Sequence, residues 1–423
     1  MPSGLANASG YDGSTQTVAV ADTGLGDGTP TGAHADLADR VTSVFNWPGQ
    51  SDSCFRTIVD DGAIDVDSGH GTHTTLSIAS DGDASGAGRG TAPGARVVFQ
   101  ATENYVSQMG GICAFLFSPG YYLTGLPSDL GDLYLEAYAA GARVHSNSWG
   151  SAQAGAYTID SVNTDDFVWN HPDMLISFSA GNAGIDADAD GLVDLDSMGA
   201  PGTAKNVITI GASENDREGD WDCDSFLTYT TCADQGGQNE LFTYGQAWPG
   251  DYPANPLAAD PSAGNAEQLA AFSSRGPTDD GRIKPDLVAP GTWVLSGYSD
   301  LYQEGYDPQV NPQNGAYQFH GWGFPYSDAY KYLGGTSMAN PLAAGAAAVV
   351  RDFFEKAHAH APSAALVKAV LVNSAVDLLD ENNDGANDND YPIPNNHEGW
   401  GRIDLAAAAD ADRGYVDEVN GLN

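Results

Sequence analysis

Basic residues are scarce in this chain. Lys and Arg total 16 against 57 Asp and Glu in 423 residues, a formal net charge of −41. Binding to nucleic acid needs clustered cations against phosphate, so the composition argues against that partner. Long apolar runs are also missing: no stretch reaches the roughly eighteen residues of a membrane-crossing helix, and no membrane partner is expected. The first residues, Met1-Pro2-Ser3-Gly4-Leu5-Ala6, lack the basic start and apolar core of a signal peptide. Either a mature chain has been given a start Met, or the chain is intracellular. There are only four cysteines, Cys54, Cys113, Cys223 and Cys232, with no Cys-x-x-Cys and no zinc-like cluster with His. Three pairings into two disulfides are possible. Cys54–Cys113 (a long loop) with Cys223–Cys232 (a short one) is preferred, and four buried thiols are the alternative in a cytosolic setting.

What the chain does have is an alternation of short β-branched runs and helical stretches. Strands are expected over Thr17–Asp22, Arg96–Ala101, Arg143–Ser148, Leu175–Ser179, Val207–Gly211 and Leu287–Ala289. Helices are expected over Gly69–Ala79, Ser128–Ala142, Thr336–His358 and Ser363–Val376. The pattern predicts an α/β fold of three layers, a mostly parallel central sheet flanked by helices. No Pro/Ser/Gly linker divides residues 1–423, so one domain is expected, with loop insertions near 215–268 and 297–330.

Three separated segments carry chemistry. Asp22 ends an apolar run before Thr23-Gly24, where a parallel strand would deliver a carboxylate to the site end of the sheet. Asp-Thr-Gly alone is weak, because aspartic proteases also use it, but no second copy is present to form their dyad. His70 lies in Gly69-His70-Gly71-Thr72-His73 at a helix entrance, with His73 read as structural. Ser337 lies in Gly335-Thr336-Ser337-Met338-Ala339, where a helix N-terminus offers free N–H groups. An acid, a base and a nucleophile in the order Asp, His, Ser is one of the arrangements this triad takes.

These strings resemble the subtilisin-like serine proteases (subtilases), from about Val18 to Asp404. The resemblance implies a catalytic set of Asp22, His70 and Ser337, with the Asn182 amide and the Ser337 N–H binding an oxyanion. It also implies a substrate-binding strand at Ser148-Trp149-Gly150, an opposite pocket wall at Ser179-Ala180-Gly181 and a pocket floor at Gly199. The expected activity is a serine endopeptidase acting through an acyl-enzyme on extended polypeptides, with a preference for large apolar or aromatic residues before the scissile bond. The resemblance further implies secretion, a monomer, and an assisting propeptide that is not visible in this chain. Strings at 147–150, 202–206 and 276–290 are most similar to the oxidatively stable alkaline proteases, whose C-terminal β-barrel has no counterpart here. Leu342 stands where many subtilases have His, and changed packing is the expected consequence. Oxidation of Met338, beside the nucleophile, is expected to lower turnover. A serine esterase of the α/β-hydrolase type would need a Gly-x-Ser-x-Gly elbow and another chain order. A silent calcium-binding module on the same scaffold would need a lost catalytic residue.

Two acidic loops repeat one spacing: Asp186, Asp188, Asp190, Asp194 and Asp196, then Asp380, Asn382, Asp384, Asp388 and Asp390, each with Gly at the sixth position. Alternating oxygen ligands around such a glycine are how calcium loops wrap their ion. Neither has Glu at position twelve, so neither is a full EF-hand, and solvated acidic turns are the alternative. Structural calcium would offset part of the chain's self-repulsion, and its removal is expected to lower thermal stability. The same excess of acid fits either a salt-adapted protein or a secreted one with an acidic coat.

Overall fold

In the computed structural model, residues 3–216, 242–318, 323–410 and 413–417 are described. The expected Cys223–Cys232 pair falls outside them. Seven strands form the central sheet: β1 (Thr17–Asp22), β2 (Val41–Asn46), β3 (Arg96–Ala101), β4 (Val144–Asn147), β5 (Leu175–Ser179), β6 (Ile208–Ser213) and β7 (Leu287–Pro290). Their order is β7-β6-β5-β4-β1-β3-β2, and every pairing is parallel. The three-layer α/β expectation holds. The chain winds from β1 toward β2 and β3, then crosses back to β4. This reversal puts the topological switch at the carboxyl ends of β1 and β4, where open parallel sheets place their sites.

The alternation inside β1 shows why both faces are covered. Val18 and Val20 enter the core on one side and Ala19 and Ala21 the core on the other. The first side is filled by α1 (His70–Ala79) and the long α4 (Thr336–His358), which pack on each other. Alanines along α4 let its backbone lie close to β4, β5, β6 and β7. The second side is closed by α2 (Leu130–Ala139) and α3 (Ile159–Asn170), through residues such as Leu133, Tyr134, Phe167 and Val168. A fifth helix, α5 (Ala364–Asn373), follows α4.

Boundaries move where caps decide them. Helix α2 begins after Asp129, whose carboxylate accepts the Gly131 N–H, and α5 begins after Ser363, which accepts from Leu366. Helix α1 begins one residue later than expected, because Gly69 is left-handed at φ 66°. Among the elements not expected are β2, α3, a side sheet of Phe55–Val59, Asn104–Met109 and Gly120–Tyr122, and a second one of Val294–Gly297, Gly323–Pro325 and Tyr330–Leu333 within and beside the expected 297–330 insertion. The Cys54–Cys113 disulfide forms, with Cα atoms 5.3 Å apart, and ties the first side sheet together.

Candidate active site

Asp22 is the last residue of β1 and is buried. Its Oδ1 accepts from His70 Nδ1 at 2.6 Å and from the Thr23 N–H at 2.8 Å, and its Oδ2 accepts from Thr74 Oγ1 at 3.1 Å. Three donors hold the carboxylate in place, and one of them is the imidazole it orients. Gly71 makes this approach possible: a Cβ there would lie 2.2 Å from the Gly24 carbonyl oxygen. Burial pulls the His70 pKa down, but the adjoining Asp22 carboxylate more than reverses this, and the net shift is upward. His73 behaves as expected of a structural residue. It is buried, its Nε2 lies 3.0 Å from the Lys331 carbonyl oxygen and 3.2 Å from that of Val294, and burial lowers its pKa to about 3.

A second carboxylate joins the Asp22 and His70 segments. Asp65 is fully buried, and its Oδ2 accepts from the Thr72 N–H (2.8 Å) and Thr72 Oγ1 (2.6 Å) at the start of α1. Its Oδ1 accepts from Thr23 Oγ1 at 3.0 Å, and Thr23 Oγ1 in turn accepts the Gly71 N–H at 2.8 Å. Burial, aided by the Asp22 charge, pushes Asp65 up to about 6 against the lowering effect of its three hydrogen bonds, from Thr72 Oγ1, the Thr72 N–H and Thr23 Oγ1. Among 57 acids nothing in the sequence singles Asp65 out. The expected 297–330 segment supports the same approach: Tyr298 donates to the Ser68 carbonyl and Ser299 to that of Asp65.

Ser337 is the second residue of α4. Its hydroxyl donates to the Ser148 carbonyl at 3.0 Å, while Ser148 Oγ donates to the Ser337 carbonyl at 2.9 Å. The second bond exists because of Pro341. Proline has no N–H to offer the carbonyl four residues earlier, so the Ser337 oxygen is left for Ser148. Asn182 follows β5 and faces the same helix end. Its Oδ1 accepts from the Thr336 N–H and Oγ1, both at 2.8 Å, which fixes the amide and turns Nδ2 outward. Gly335, at φ 137°, sits between them; a Cβ there would be 3.4 Å from Asn182 Nδ2 and 3.7 Å from the Ser337 nitrogen. Among the described residues the Ser337 N–H has no protein acceptor.

A cleft of about 310 Å³ opens beside Ser337. Ser148, Trp149, Gly150, Ser179, Ala180, Gly181 and Gly199 all line it, as do Asn182 and, unexpectedly, Ser151, Ser197 and Ser274. Gly199 and Ala200 pair antiparallel with Ala152 and Ser151, so the two walls are stitched together. Trp149 turns its indole inward: Nε1 donates to the Ala21 carbonyl at 2.9 Å and the ring packs edge-on against Phe178. Leu342 packs with Val294, Leu333 and Met338. Met338 is 1% exposed, so oxidants reach it only when this cluster opens.

The acidic loops come together in part. Carboxylate oxygens of Asp186, Asp188 and Asp190 lie within 4.8 Å of one another, as do those of Asp384, Asp388 and Asp390. Asp194 instead accepts the Ala187 N–H, Asp196 lies beside Gly155, and Asn382 donates to Asp390 Oδ2. Asp380 is buried.

Comparison with protein families matches residues 13–401 to the family described as the Subtilase family. Among curated relatives, the chain is 31% identical over 290 residues to the serine protease/ABC transporter B family protein tagD of Dictyostelium discoideum, covering 59% of this chain and 15% of that protein. It is 27% identical over 402 residues to tagB of the same organism, covering 86% and 19%. It is 25% identical over 346 residues to the serine protease AprX of Bacillus subtilis strain 168, covering 79% and 56%. The chain thus spans less than a fifth of the two Dictyostelium proteins and a little over half of AprX.

Proposed function

The chain belongs to the subtilase family, and from that premise we propose that it is a serine endopeptidase working through Asp22, His70 and Ser337. The observation that carries the reading is the 2.6 Å contact of His70 with Asp22, together with a serine at a helix N-terminus beside two unspent donors. Ser337 Oγ leaves the Ser148 carbonyl and attacks the peptide carbonyl carbon while His70 Nε2 takes its proton. Asp22 holds the His70 tautomer and stabilises the imidazolium. Asn182 Nδ2 and the Ser337 N–H receive the oxyanion. Collapse expels the amine with the proton from His70, and water, activated by the same base, hydrolyses the acyl-enzyme.

Incubation with a serine-directed fluorophosphonate, followed by peptide mass spectrometry, tests this directly. Adduct on Ser337 with casein cleavage is expected. A folded protein that takes no label, at low or molar salt with calcium, would leave a silent calcium-binding module as the reading; labelling without proteolysis would leave an esterase.

His70 must be neutral to accept the proton, and its pKa is raised. Activity is therefore lost as pH falls through a value above the ordinary histidine range of about 6.5. A pH profile of kcat/KM should place the acid limb there, and Asp22→Asn should move it lower while reducing kcat by roughly 10⁴.

The cleft lined by Gly199 is read as the pocket for a large apolar side chain before the scissile bond, and Ser148–Gly150 as the strand that pairs with an extended substrate. A Cβ at 199 would press the carbonyl oxygens of Ala180 (3.1 Å) and Ser151 (3.2 Å). Gly199→Val should lower kcat/KM for Phe-containing peptides by roughly 10- to 100-fold, and far less for Ala-containing ones. An equal loss for both peptides would contradict the pocket assignment.

The Cys54–Cys113 disulfide supports an extracellular setting. Polypeptide substrates, a monomeric state, a propeptide and the narrower kinship with oxidatively stable alkaline proteases belong to the same proposal. Structural calcium at the acidic loops completes it: the ion supplies positive charge among hard oxygen ligands, and Asp186–Asp190 and Asp384–Asp390 are the groups that would hold it.

A further inference from the structure

Residues 64–69 lead into His70 and belong to no strand or helix. Their carbonyls have no ladder partners, and a buried carbonyl needs a donor from elsewhere. The 297–330 insertion supplies four. Ser299 Oγ and Gln318 Nε2 both donate to the Asp65 carbonyl, at 3.0 and 3.1 Å. Asn311 Nδ2 donates to the Val66 carbonyl at 3.3 Å, and Tyr298 to that of Ser68 at 2.7 Å. All four donor residues are at most 3% exposed.

The donors are themselves fixed. The Gln318 N–H donates to the Tyr302 carbonyl and the Asn311 N–H to that of Ala316, both at 2.8 Å. Buried Gln303 donates to the carbonyls of Ser299 (2.5 Å) and Asp328 (2.8 Å), closing the segment on itself. Asn311 Nδ2 also donates to Tyr121 Oη at 3.0 Å, which joins the segment to the side sheet held by the Cys54–Cys113 disulfide. Buried polar side chains persist where they are hydrogen-bonded, and the donors of these are spent mainly on one short stretch of backbone.

That stretch supports His70 from two sides. The Asp65 carboxylate grips Thr72 in the first turn of α1 and Thr23 next to Asp22. Ser68 Oγ accepts the His70 N–H at 3.3 Å. The Tyr298 ring fills the space beside Gly69: a Cβ there would lie 2.2 Å from its Cε2. A shift of the backbone at 65–68 therefore moves both supports of His70, the carboxylate and the hydroxyl, without any residue of 298–318 touching substrate.

We propose that residues 298–318 are a brace for His70, and that Tyr298, Ser299, Asn311 and Gln318 are positioning residues acting on it through Asp65 and Ser68. The inference rests on reading His70 as the base that activates Ser337.

The test compares the whole chain with Ser299→Ala/Gln318→Ala, which removes both donors to the Asp65 carbonyl. Tyr298→Phe is the milder variant, which keeps the ring on Gly69; if the double variant does not fold, Tyr298→Phe carries the same test. Tyr134→Phe is the stability control, because it removes a buried bond to Thr164 (3.0 Å) in the core on the other side of the sheet. The double variant should lower kcat by roughly 10- to 100-fold with KM little changed, the cost of a small misplacement of a catalytic group. Tyr298→Phe should lower kcat less, and Tyr134→Phe should lower Tm while leaving kcat alone. Asp65→Asn should also lower kcat, and adding the double variant to it should cost much less than the double variant costs alone, because both act through one group. The proton between His70 Nδ1 and Asp22 Oδ1 gives a far-downfield ¹H NMR signal that needs no turnover. It should shift or broaden in the brace variants and hold in Tyr134→Phe. Folded brace variants with wild-type kcat, or with lowered kcat and an unmoved signal, would overturn the brace. Losses that add in full to those of Asp65→Asn would overturn the route through Asp65. A wild-type Ser337 that takes no fluorophosphonate would sink the hydrolase reading instead, and the NMR comparison would still decide whether the brace holds His70.

Discussion

Ser337→Ala should reduce kcat by about 10⁶-fold, with little change in KM or Tm. The expected size follows from what is removed. The serine gives the reaction a covalent path, and without it His70 and Asp22 have no nucleophile to activate, so the set fails as a unit. Adding His70→Ala to Ser337→Ala should therefore cost little more than Ser337→Ala alone. Some acceleration over water, of roughly 10³–10⁴, should survive from the oxyanion donors and from substrate binding. Stability should hold because the Ser337 hydroxyl makes a single bond, to the Ser148 carbonyl. The reciprocal bond, from Ser148 Oγ to the Ser337 carbonyl, uses backbone and remains in the variant. Active-site titration and single-turnover assays on purified variants read the effect. Retention of more than a hundredth of wild-type cleavage, free of contaminating protease, would remove Ser337 from the role of nucleophile.

The ease of finding this site in the sequence has a physical origin. Asp22, His70 and Ser337 sit at junctions of regular structure, and each junction has an audible local grammar. An apolar run ends in a carboxylate, glycines flank a histidine at a helix entrance, and a small-residue helix starts at a hydroxyl. Strand β1, strand β3 and helix α4 appear with their expected boundaries, because they are buried on both faces and read as unbroken apolar or small-residue runs. Strand β2 escaped because it is half exposed and mixes Thr, Ser and Asn with its apolar residues. Helix α3 escaped because Ile159–Asn170 carries Asp and Asn through its length; Thr158 caps it, and Phe167 and Val168 anchor it to the second core. Asp65 escaped for a different reason. Its role is set by where Thr23 and Thr72 meet in space, 42 and 7 residues away, and an aspartate among so many carries no local mark. The two calcium-type loops were legible as a spacing, but how far each assembles was not: Asp186 joins Asp188 and Asp190 in one cluster, whereas the second cluster is formed by Asp384, Asp388 and Asp390 without Asp380.

Asn182 offers the sharper test of mechanism, because two roles compete for it. Its Oδ1 accepts from Thr336, the first residue of α4, so it acts as a distant cap for that helix. Its Nδ2, turned outward by those two bonds, is the proposed oxyanion donor. Asn182→Ala removes both functions. It should lower kcat by roughly 10²–10³, or about 2.7–4 kcal/mol of transition-state stabilisation, and also cost about 1 kcal/mol of stability through the lost cap. Asn182→Asp separates the roles. An aspartate retains the acceptor for Thr336, and a negative charge at a helix N-terminus is favourable, so Tm should hold or rise. The same carboxylate puts an acceptor and a charge where the oxyanion must form, so kcat should fall at least as far as in Asn182→Ala. A cap-only residue predicts the reverse pattern: Asn182→Asp near wild type in both Tm and kcat, with Asn182→Ala reduced only through stability. Paired measurements of Tm and kcat on the two variants decide between them, and the decisive number is the kcat of the variant that stays folded.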